Sequence, residues 1–301
     1  MEFKKWVWIA VAGAGLGPCV SWSAGEPVAA TAPQSGASLT YFTPNFYPAE
    51  NAWLVTGGLS QGNASIESVT KVLALPLPAT TLNLSEHSTV AASTLRYGLS
   101  SQSELMVSVS YLAASTLYDT SWTMPQLAYA YRIAPPDSRL KSNLTATYIP
   151  RSLYPGPFSG PVRYKLGGVS SYELAPESWV SLGLEHRLKA SEKFPAYLQM
   201  TGSVTRAFST TVVSAGVSAK KQDKGHSYDG TIFDGASVDA YWTRGINLGV
   251  SQKIDAKRGF TLILAQERFK TYELVGSVYG SIERKNQIKS SSAVLSYYQA
   301  F

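Results

Sequence analysis

The sequence predicts an all-β fold, a transmembrane antiparallel β-barrel of about 12 strands within a range of about 10–14. After the N-terminal region no segment reaches the roughly 18 consecutive apolar residues of a membrane helix. Most of the chain instead alternates apolar with polar or small residues, with a period of two. The connections between the alternating segments are in turn short and long, as in bacterial outer-membrane barrels.

The chain opens with the pattern of a secretory signal peptide. Lys4 and Lys5 precede an apolar run over residues 6–20, and small residues follow. Cleavage within residues 23–25 is expected, so the signal peptide covers about residues 1–24. The only cysteine, Cys19, lies inside it, which leaves a mature chain without disulfides.

A second segment, residues 25–50, is rich in Ala, Pro, Gly and Ser and predicts a linker or tail. Two placements stay open for it: in the periplasm, or inside the barrel as a plug. The barrel itself is predicted over residues 51–301. Its predicted strands are 52–75, 87–99, 103–114, 122–133, 139–149, 161–174, 177–189, 195–207, 209–220, 237–254, 259–274 and 286–301.

The alternation is clear in "SELMVSVSYLAA", residues 103–114. Leu105 and Val107 share one face of this segment, while Glu104 and Ser108 share the other. A secreted β-sandwich also alternates, but its strands average about 5–6 residues, whereas those predicted here run to about 11–16. In lipid only a closed barrel or a helix pairs every backbone group, so the long strands favour the barrel.

The connections divide into two sets. One set is short, including "SSQS" after Leu99 and "APES" after Leu174. The other is mostly longer, and includes residues 76–87, 150–161, 220–236 and about 275–285. An even number of strands with both termini in the periplasm places all the longer connections on the extracellular side.

Composition agrees with a lipid-facing exterior. Charged residues make up 15% of the chain against about 25% in ordinary soluble domains. Aromatic residues reach 12%, and Tyr and Trp favour the two membrane interfaces. The net charge of +6 does not collect on one helix, and the densest group, Lys220, Lys221 and Lys224, is interpreted as a solvated loop. No nucleic-acid partner is expected.

Strand parity predicts which charged side chains face the lumen, because Arg or Lys at the lipid midplane costs about 2–4 kcal/mol. The set has six bases and four acids: Arg96, Glu104, Arg132, Lys141, Arg163, Lys165, Glu185, Arg187, Asp239 and Glu267. Two interpretations stay open, a salt-bridged, partly plugged interior and a narrow polar pore. Arg244 falls on the lipid-facing parity and is therefore expected at the outer interface, near Trp242.

The sequence predicts no enzyme, cofactor or metal site. The three histidines, His87, His186 and His226, are scattered along the chain. The mature chain has no cysteine ligand, and no phosphate loop or dinucleotide motif follows a strand. An outer-membrane lipid hydrolase remains an alternative, as does a structural or surface-interaction barrel without a pore.

The end of the chain, "SSSAVLSYYQAF", resembles the C-terminal assembly signal of Gram-negative outer-membrane barrels. Leu295, Tyr297 and Phe301 match its alternating apolar pattern, as does Ala293, whereas Gln299 departs from it. The resemblance implies location in the bacterial outer membrane. It also implies two partners, the membrane lipid and the barrel-assembly machinery that reads the C-terminal strand.

A further resemblance covers residues 95–112, "LRYGLSSQSELMVSVSYL", and the layout of residues 43–62. Both are similar to the outer-membrane transporters of the phenol-degradation meta-pathway family. That resemblance implies a barrel that admits small aromatic or other hydrophobic solutes, and it brings no catalytic residues. The expected function is passive uptake of small solutes.

Overall fold

The computed structural model describes ten segments of the chain. They are residues 50–73, 78–115, 121–122, 125–133, 138–151, 161–191, 195–227, 236–255, 257–277 and 280–301. The predicted signal peptide, and all but the last residue of the predicted 25–50 segment, lie outside the described residues. Within the described residues no helix is long and apolar enough to cross a membrane.

The described residues form strands only. In chain order they are β1 (Trp53–Val72), β2 (Thr80–Ser100), β3 (Ser103–Ser115), β4 (Ser121–Trp122), β5 (Gln126–Arg132), β6 (Leu140–Ile149), β7 (Arg163–Ala175), β8 (Ser178–Arg187), β9 (Tyr197–Phe208), β10 (Thr211–Gln222), β11 (Gly225–Ser227), β12 (Ala236–Val238), β13 (Tyr241–Lys253), β14 (Arg258–Ser277) and β15 (Gly280–Ala300). Twelve of them build the barrel wall, whereas β4, β11 and β12 are short additions at one end.

The sheet closes on itself between its first and last strands. Each wall strand pairs antiparallel with its neighbours, and β15 pairs with both β14 and β1. Ile288 marks the seam, because it lies opposite Ile66 on β1 and Phe269 on β14 and is fully buried. Closure leaves no strand edge unpaired in lipid, so the prediction of a 12-strand antiparallel barrel is confirmed.

The strand register fixes the size of the ring. A path from Gly98 on β2 through successive paired residues returns to β2 at Leu84, a shear of 14 residues (98 − 84). With 12 strands, this shear corresponds to a strand tilt of about 40° and a backbone radius of about 12 Å. A ring of that radius is intermediate between filled barrels and open porins.

The two faces of the wall differ in polarity. Large apolar side chains are exposed on the outward face of almost every wall strand, as Leu182 on β8, Val217 on β10 and Leu248 on β13 illustrate. The alternate positions face inward and are mostly polar, small or charged. In this arrangement lipid takes the place of a protein core for the outward side chains.

The two ends of the barrel differ in their connections. The start of β1 and Phe301 lie at one end, together with the two-residue turns 101–102, 176–177 and 209–210. The opposite end carries connections of up to 18 residues (223–240, which includes β11 and β12). By the usual orientation of such barrels, the end with the start of β1 and Phe301 is periplasmic and the other end is extracellular.

Two of the predicted long connections are mostly strand. Residues 76–87 were expected to be a loop, but β2 begins at Thr80; residues 275–285 were expected to be another, but β14 and β15 leave only residues 278–279 between them. As a result β14, β15, β1 and β2 are 20 or 21 residues long, against seven to ten in β5, β6 and β8. The wall is therefore much taller on one side.

These strand extensions were predicted to be loops because of the outward face of the tall strands above the lipid. There β1 presents Gln61, Asn63, Ser65 and Glu67 outward and Ala64 and Ile66 inward, so the alternation is reversed and no longer shows the apolar outward face of a lipid-facing strand. The hydrogen-bonded ladder continues regardless, because polar side chains can face water. Two other predicted strands are interrupted: residues 122–133 divide into β4 and β5, and residues 237–254 divide into β12 and β13.

Candidate channel lumen

Most of the charged residues that strand parity predicts for the lumen lie on the inner face of the wall. Arg96, Glu104, Arg132, Lys165 and Glu185 are all buried on that face. The partly accessible members of the predicted set also lie at inward positions of their strands; they are Lys141, Arg163, Arg187 and Glu267. Nine of the ten predicted side chains thus line the same interior.

Asp239 is the exception and requires a correction. It lies in the break between β12 and β13, where its half-exposed carboxylate is 3.6 Å from the Lys224 ammonium. The parity argument assumed a continuous strand over residues 237–254, and the chain leaves the barrel wall at this point. Asp239 therefore belongs to the extracellular connection and does not line the lumen.

A buried ion pair lies near the periplasmic end of the lumen. Arg96 on β2 donates to Glu104 on β3 through Nη2 to Oε1 at 2.7 Å and through Nε to Oε2 at 3.0 Å. The side chains of both residues are at most 5% exposed. Two further cations of this level, Arg132 on β5 and Lys141 on β6, follow on the neighbouring strands. The bidentate geometry is the strongest kind of side-chain ion pair.

A second cluster lies closer to the extracellular end, on β7 to β10. The Tyr197 hydroxyl donates a hydrogen bond to Glu185, and the Arg187 guanidinium lies 4.6 Å from the centroid of the tyrosine ring. Arg187 also donates to the Pro195 carbonyl at 2.7 Å from Nη2. Lys220 Nζ is 5.8 Å from the same ring. One tyrosine therefore organises two cations and one carboxylate.

Lys220 was wrongly interpreted as part of a solvated loop. It is the tenth residue of β10, it lies between Gln199 on β9 and Thr243 on β13, and it is buried on the inward face. The prediction ended this strand at residue 220, so that the adjacent lysines were classified as one charge run. Two more residues of alternating parity would have separated inward Lys220 from outward Lys221.

Sequence reasoning missed a third cluster, at the extracellular end of the tall strands. Asn286 Nδ2 donates to Glu273 Oε1 at 2.8 Å and to Thr271 Oγ1 at 3.0 Å. The guanidinium of Arg284 lies 3.4 Å from Glu273 Oε2. Arg284 was missed because residues 275–285 were expected to form a loop, which removed any basis for assigning its parity. Thr271 and Glu273 lie inside the predicted strand 259–274 with the parity of Glu267, and that parity identifies them as inward.

The lumen between the first two clusters has an excess of positive charge. Seven cations line these two levels, namely Arg96, Arg132, Lys141, Arg163, Lys165, Arg187 and Lys220. Three carboxylates accompany them, namely Glu104, Glu185 and Glu267. A pore lined in this way favours anions over cations.

No family model matches the chain, and no curated protein matches it. Among solved structures, it is similar to an outer membrane channel from Pseudomonas putida F1, with a TM-score of 0.51 and 11% sequence identity over 90% of this chain and 100% of that chain. The fold is that of a bacterial outer-membrane β-barrel.

Two further barrels are more distant from this one. The NanC porin has a TM-score of 0.42 and 9% identity over 76% of this chain and 98% of that chain. The monoaromatic hydrocarbon channel TodX has a TM-score of 0.39 and 9% identity over 85% of this chain and 93% of that chain. Because no family model matches, the narrower resemblance to the phenol-degradation transporters stays a prediction.

The two histidines whose side chains the structure describes, His87 and His186, lie far apart on the wall. The imidazole Nδ1 of His87 lies 2.7 Å from Asn63 Oδ1 on the outward face of the tall strands. His186 occupies the lipid-facing parity of β8, between Leu166 and Leu198. The side chain of His226 lies outside what the structure describes. Among the described residues, no group of three or more His, Cys, Asp and Glu side chains could hold a metal ion.

The C-terminal strand of the barrel forms the seam. Leu295, Tyr297 and Phe301 are exposed on its outward face, and Gln299 shares that parity. The Phe301 N–H donates to the Trp53 carbonyl at 2.9 Å, so the last residue joins the first wall strand. The residues that resemble the assembly signal therefore lie side by side on the lipid-facing surface.

Proposed function

We propose that this barrel is a passive channel for small solutes across the outer membrane. The observation that carries the proposal is the contrast between its two faces, an apolar exterior and an interior lined by charged side chains. Inward charges are expected of any barrel, but seven cations against three carboxylates leave an excess that a fully salt-bridged plug would not have. The fold likeness to an outer membrane channel supports the proposal.

The positive excess of the lining suggests the charge of the preferred solute. Small anions would experience the field of Lys165, Arg187 and Lys220 in the cluster closer to the extracellular end, and of Arg96 and Arg132 at the periplasmic level; most of these side chains are buried in the lining. The resemblance to the phenol-degradation transporters suggests that the solute is also aromatic or hydrophobic. Small aromatic carboxylates combine both properties and are the solutes to test first.

Conductance measurements test the channel directly. In planar bilayers with a KCl gradient, the reversal potential of the wild-type barrel should show chloride preferred over potassium. Replacing Lys220 by Gln should lower the permeability ratio about fivefold, since one charge about 8 Å away in water-like surroundings contributes about 0.5 kcal/mol to each ion, with opposite sign for chloride and potassium.

Lys257→Gln provides the matched control, because this exposed lysine lies in the periplasmic turn, away from the lumen. It should leave the permeability ratio unchanged. An intact barrel that passes neither ions nor aromatic carboxylates would contradict the channel and favour the structural or surface-interaction alternative. Lipid cleavage that disappears on replacement of His87, His186 or His226 would favour the hydrolase alternative.

A further inference from the structure

Three cations lie side by side on the outward face of the barrel. Arg244 on β13 is directly opposite Arg268 on β14, and Arg268 is directly opposite Lys289 on β15. All three side chains are exposed. The register places Arg244 on the outward face, near Trp242, as expected. Arg268 and Lys289, which carry the same charge, lie beside it in the same row.

Two lysines extend this row into a patch. Lys221 on β10 and Lys270 on β14 lie one row closer to the extracellular end, beside Trp242 and Gln287 respectively. The basic patch is defined by the following exposed side chains: Lys221, Arg244, Arg268, Lys270 and Lys289. Within the described residues, no carboxylate forms a salt bridge with any of the five. The nearest outward acid on the adjoining strand is Glu67, opposite Gln287.

Such an arrangement is unfavourable without a counterion. Like charges directly opposite each other on neighbouring strands destabilise a sheet, and Arg244, Arg268 and Lys289 form two such pairs in a row. Water and salt screen the repulsion only where the surface is fully hydrated. A bound anion would remove it.

The position of the patch defines what kind of anion fits. On β13 the next outward side chains towards the periplasm are Ile246 and Leu248, which are 58% and 60% exposed. On β14 the corresponding apolar position is Leu264, 50% exposed, one outward residue further down. The patch thus begins where the apolar surface ends, so its ligand needs an anionic head directly above apolar chains.

We propose that the basic patch binds the phosphate groups of an anionic lipid of the extracellular leaflet, whose acyl chains lie on the apolar surface below. Guanidinium groups bind phosphate oxygens in a bidentate manner, and Arg244 and Arg268 place two of them on adjacent strands. The lysines at the edges supply further positive charge. This site is on the outside of the wall, so it does not depend on whether the lumen conducts.

The experiment measures lipid binding to the full-length mature barrel purified in a neutral detergent. Lipid A, which carries phosphate and acyl chains, is the probe; phosphatidylethanolamine is the zwitterionic comparison, and inorganic phosphate is the free anion. Wild-type protein should bind lipid A in preference to both. The variant Arg244→Gln/Arg268→Gln/Lys289→Gln should bind lipid A about 100-fold more weakly, as expected for three cations at a charged membrane surface.

A matched variant removes the same charge from the periplasmic end. Arg139, Arg206 and Lys257 are exposed there, and their triple replacement by Gln should leave lipid A binding unchanged. Folding of every variant is checked by heat-modified gel mobility, and Arg268→Gln alone, with a smaller loss, serves if the triple variant does not fold. Undiminished binding by the patch variants, an equal loss in the control, or equally tight binding of inorganic phosphate would overturn the proposal.

Discussion

Replacing Glu104 by Ala should destabilise the barrel by about 3 kcal/mol or more, because it removes the carboxylate from a buried ion pair and leaves the guanidinium charge in the wall. Arg96 reaches that carboxylate through two hydrogen bonds, of 2.7 and 3.0 Å, and both side chains are almost inaccessible. Unfolding by guanidinium chloride in detergent, followed by tryptophan fluorescence, measures the loss.

A double variant separates the ion pair from simple loss of packing. Arg96→Met/Glu104→Met removes both charges and fills much of the same volume, so it should be closer to wild type than Glu104→Ala is. Glu67→Ala, on the exposed outward face of β1, should change the stability by less than about 0.5 kcal/mol. If the double variant is as unstable as the single one, the unpaired guanidinium of Arg96 is not the cause of the loss.

Sequence reasoning succeeded where lipid constrains the outward face. At the lipid level each outward position must be apolar, so the period of two survives in segments such as residues 103–114 and marks both strand and parity. Arg96 and Glu104 could be assigned to the lumen from that pattern alone. The same reasoning placed Arg244 on the outside, where the structure has it.

Above the lipid the outward side chains no longer need to be apolar. The extensions of the strands into this region were therefore not predicted. The outer halves of β1, β2, β14 and β15 have mostly polar side chains on the outward face, so the apolar alternation of a lipid-facing strand is missing and their extension could not be separated from a loop. Arg284 was missed for this reason, whereas Glu273 lies inside the predicted strand 259–274 with the parity of Glu267 and could have been assigned to the lumen. Lys220 was missed because adjacent lysines look like a charge run, although a strand sends neighbouring side chains to opposite faces.

The basic patch could not be found by reading along the chain. Arg244, Arg268 and Lys289 are separated by 24 and 21 residues (268 − 244 and 289 − 268), and no two of them share a strand. Only the register of β13, β14 and β15 brings them into one row. Cross-strand register is set by turns and closure, which single-strand periodicity does not report.

Deleting Phe301 should lower the amount of folded barrel in the outer membrane about tenfold or more, since the deletion removes two seam hydrogen bonds of about 1 kcal/mol each along with the last residue of the proposed assembly signal. The two bonds join Phe301 and Trp53, from Phe301 N–H to the Trp53 carbonyl at 2.9 Å and from Trp53 N–H to the Phe301 carbonyl at 3.4 Å. Heat-modified mobility of membrane fractions measures the folded amount.

Two point variants distinguish recognition from seam stability. Phe301→Ala keeps the backbone bonds to Trp53 but loses the exposed ring, so a loss of assembly in cells with normal refolding in detergent would indicate recognition of the ring by the assembly machinery. Gln299→Phe places an aromatic residue at the one position where the chain departs from the signal, on the same outward face as Tyr297. It should therefore raise the rate of assembly. If Phe301→Ala and Gln299→Phe both assemble as wild type does, the side chains of this face are not read, and the terminal strand acts through its backbone pairing with β1 alone.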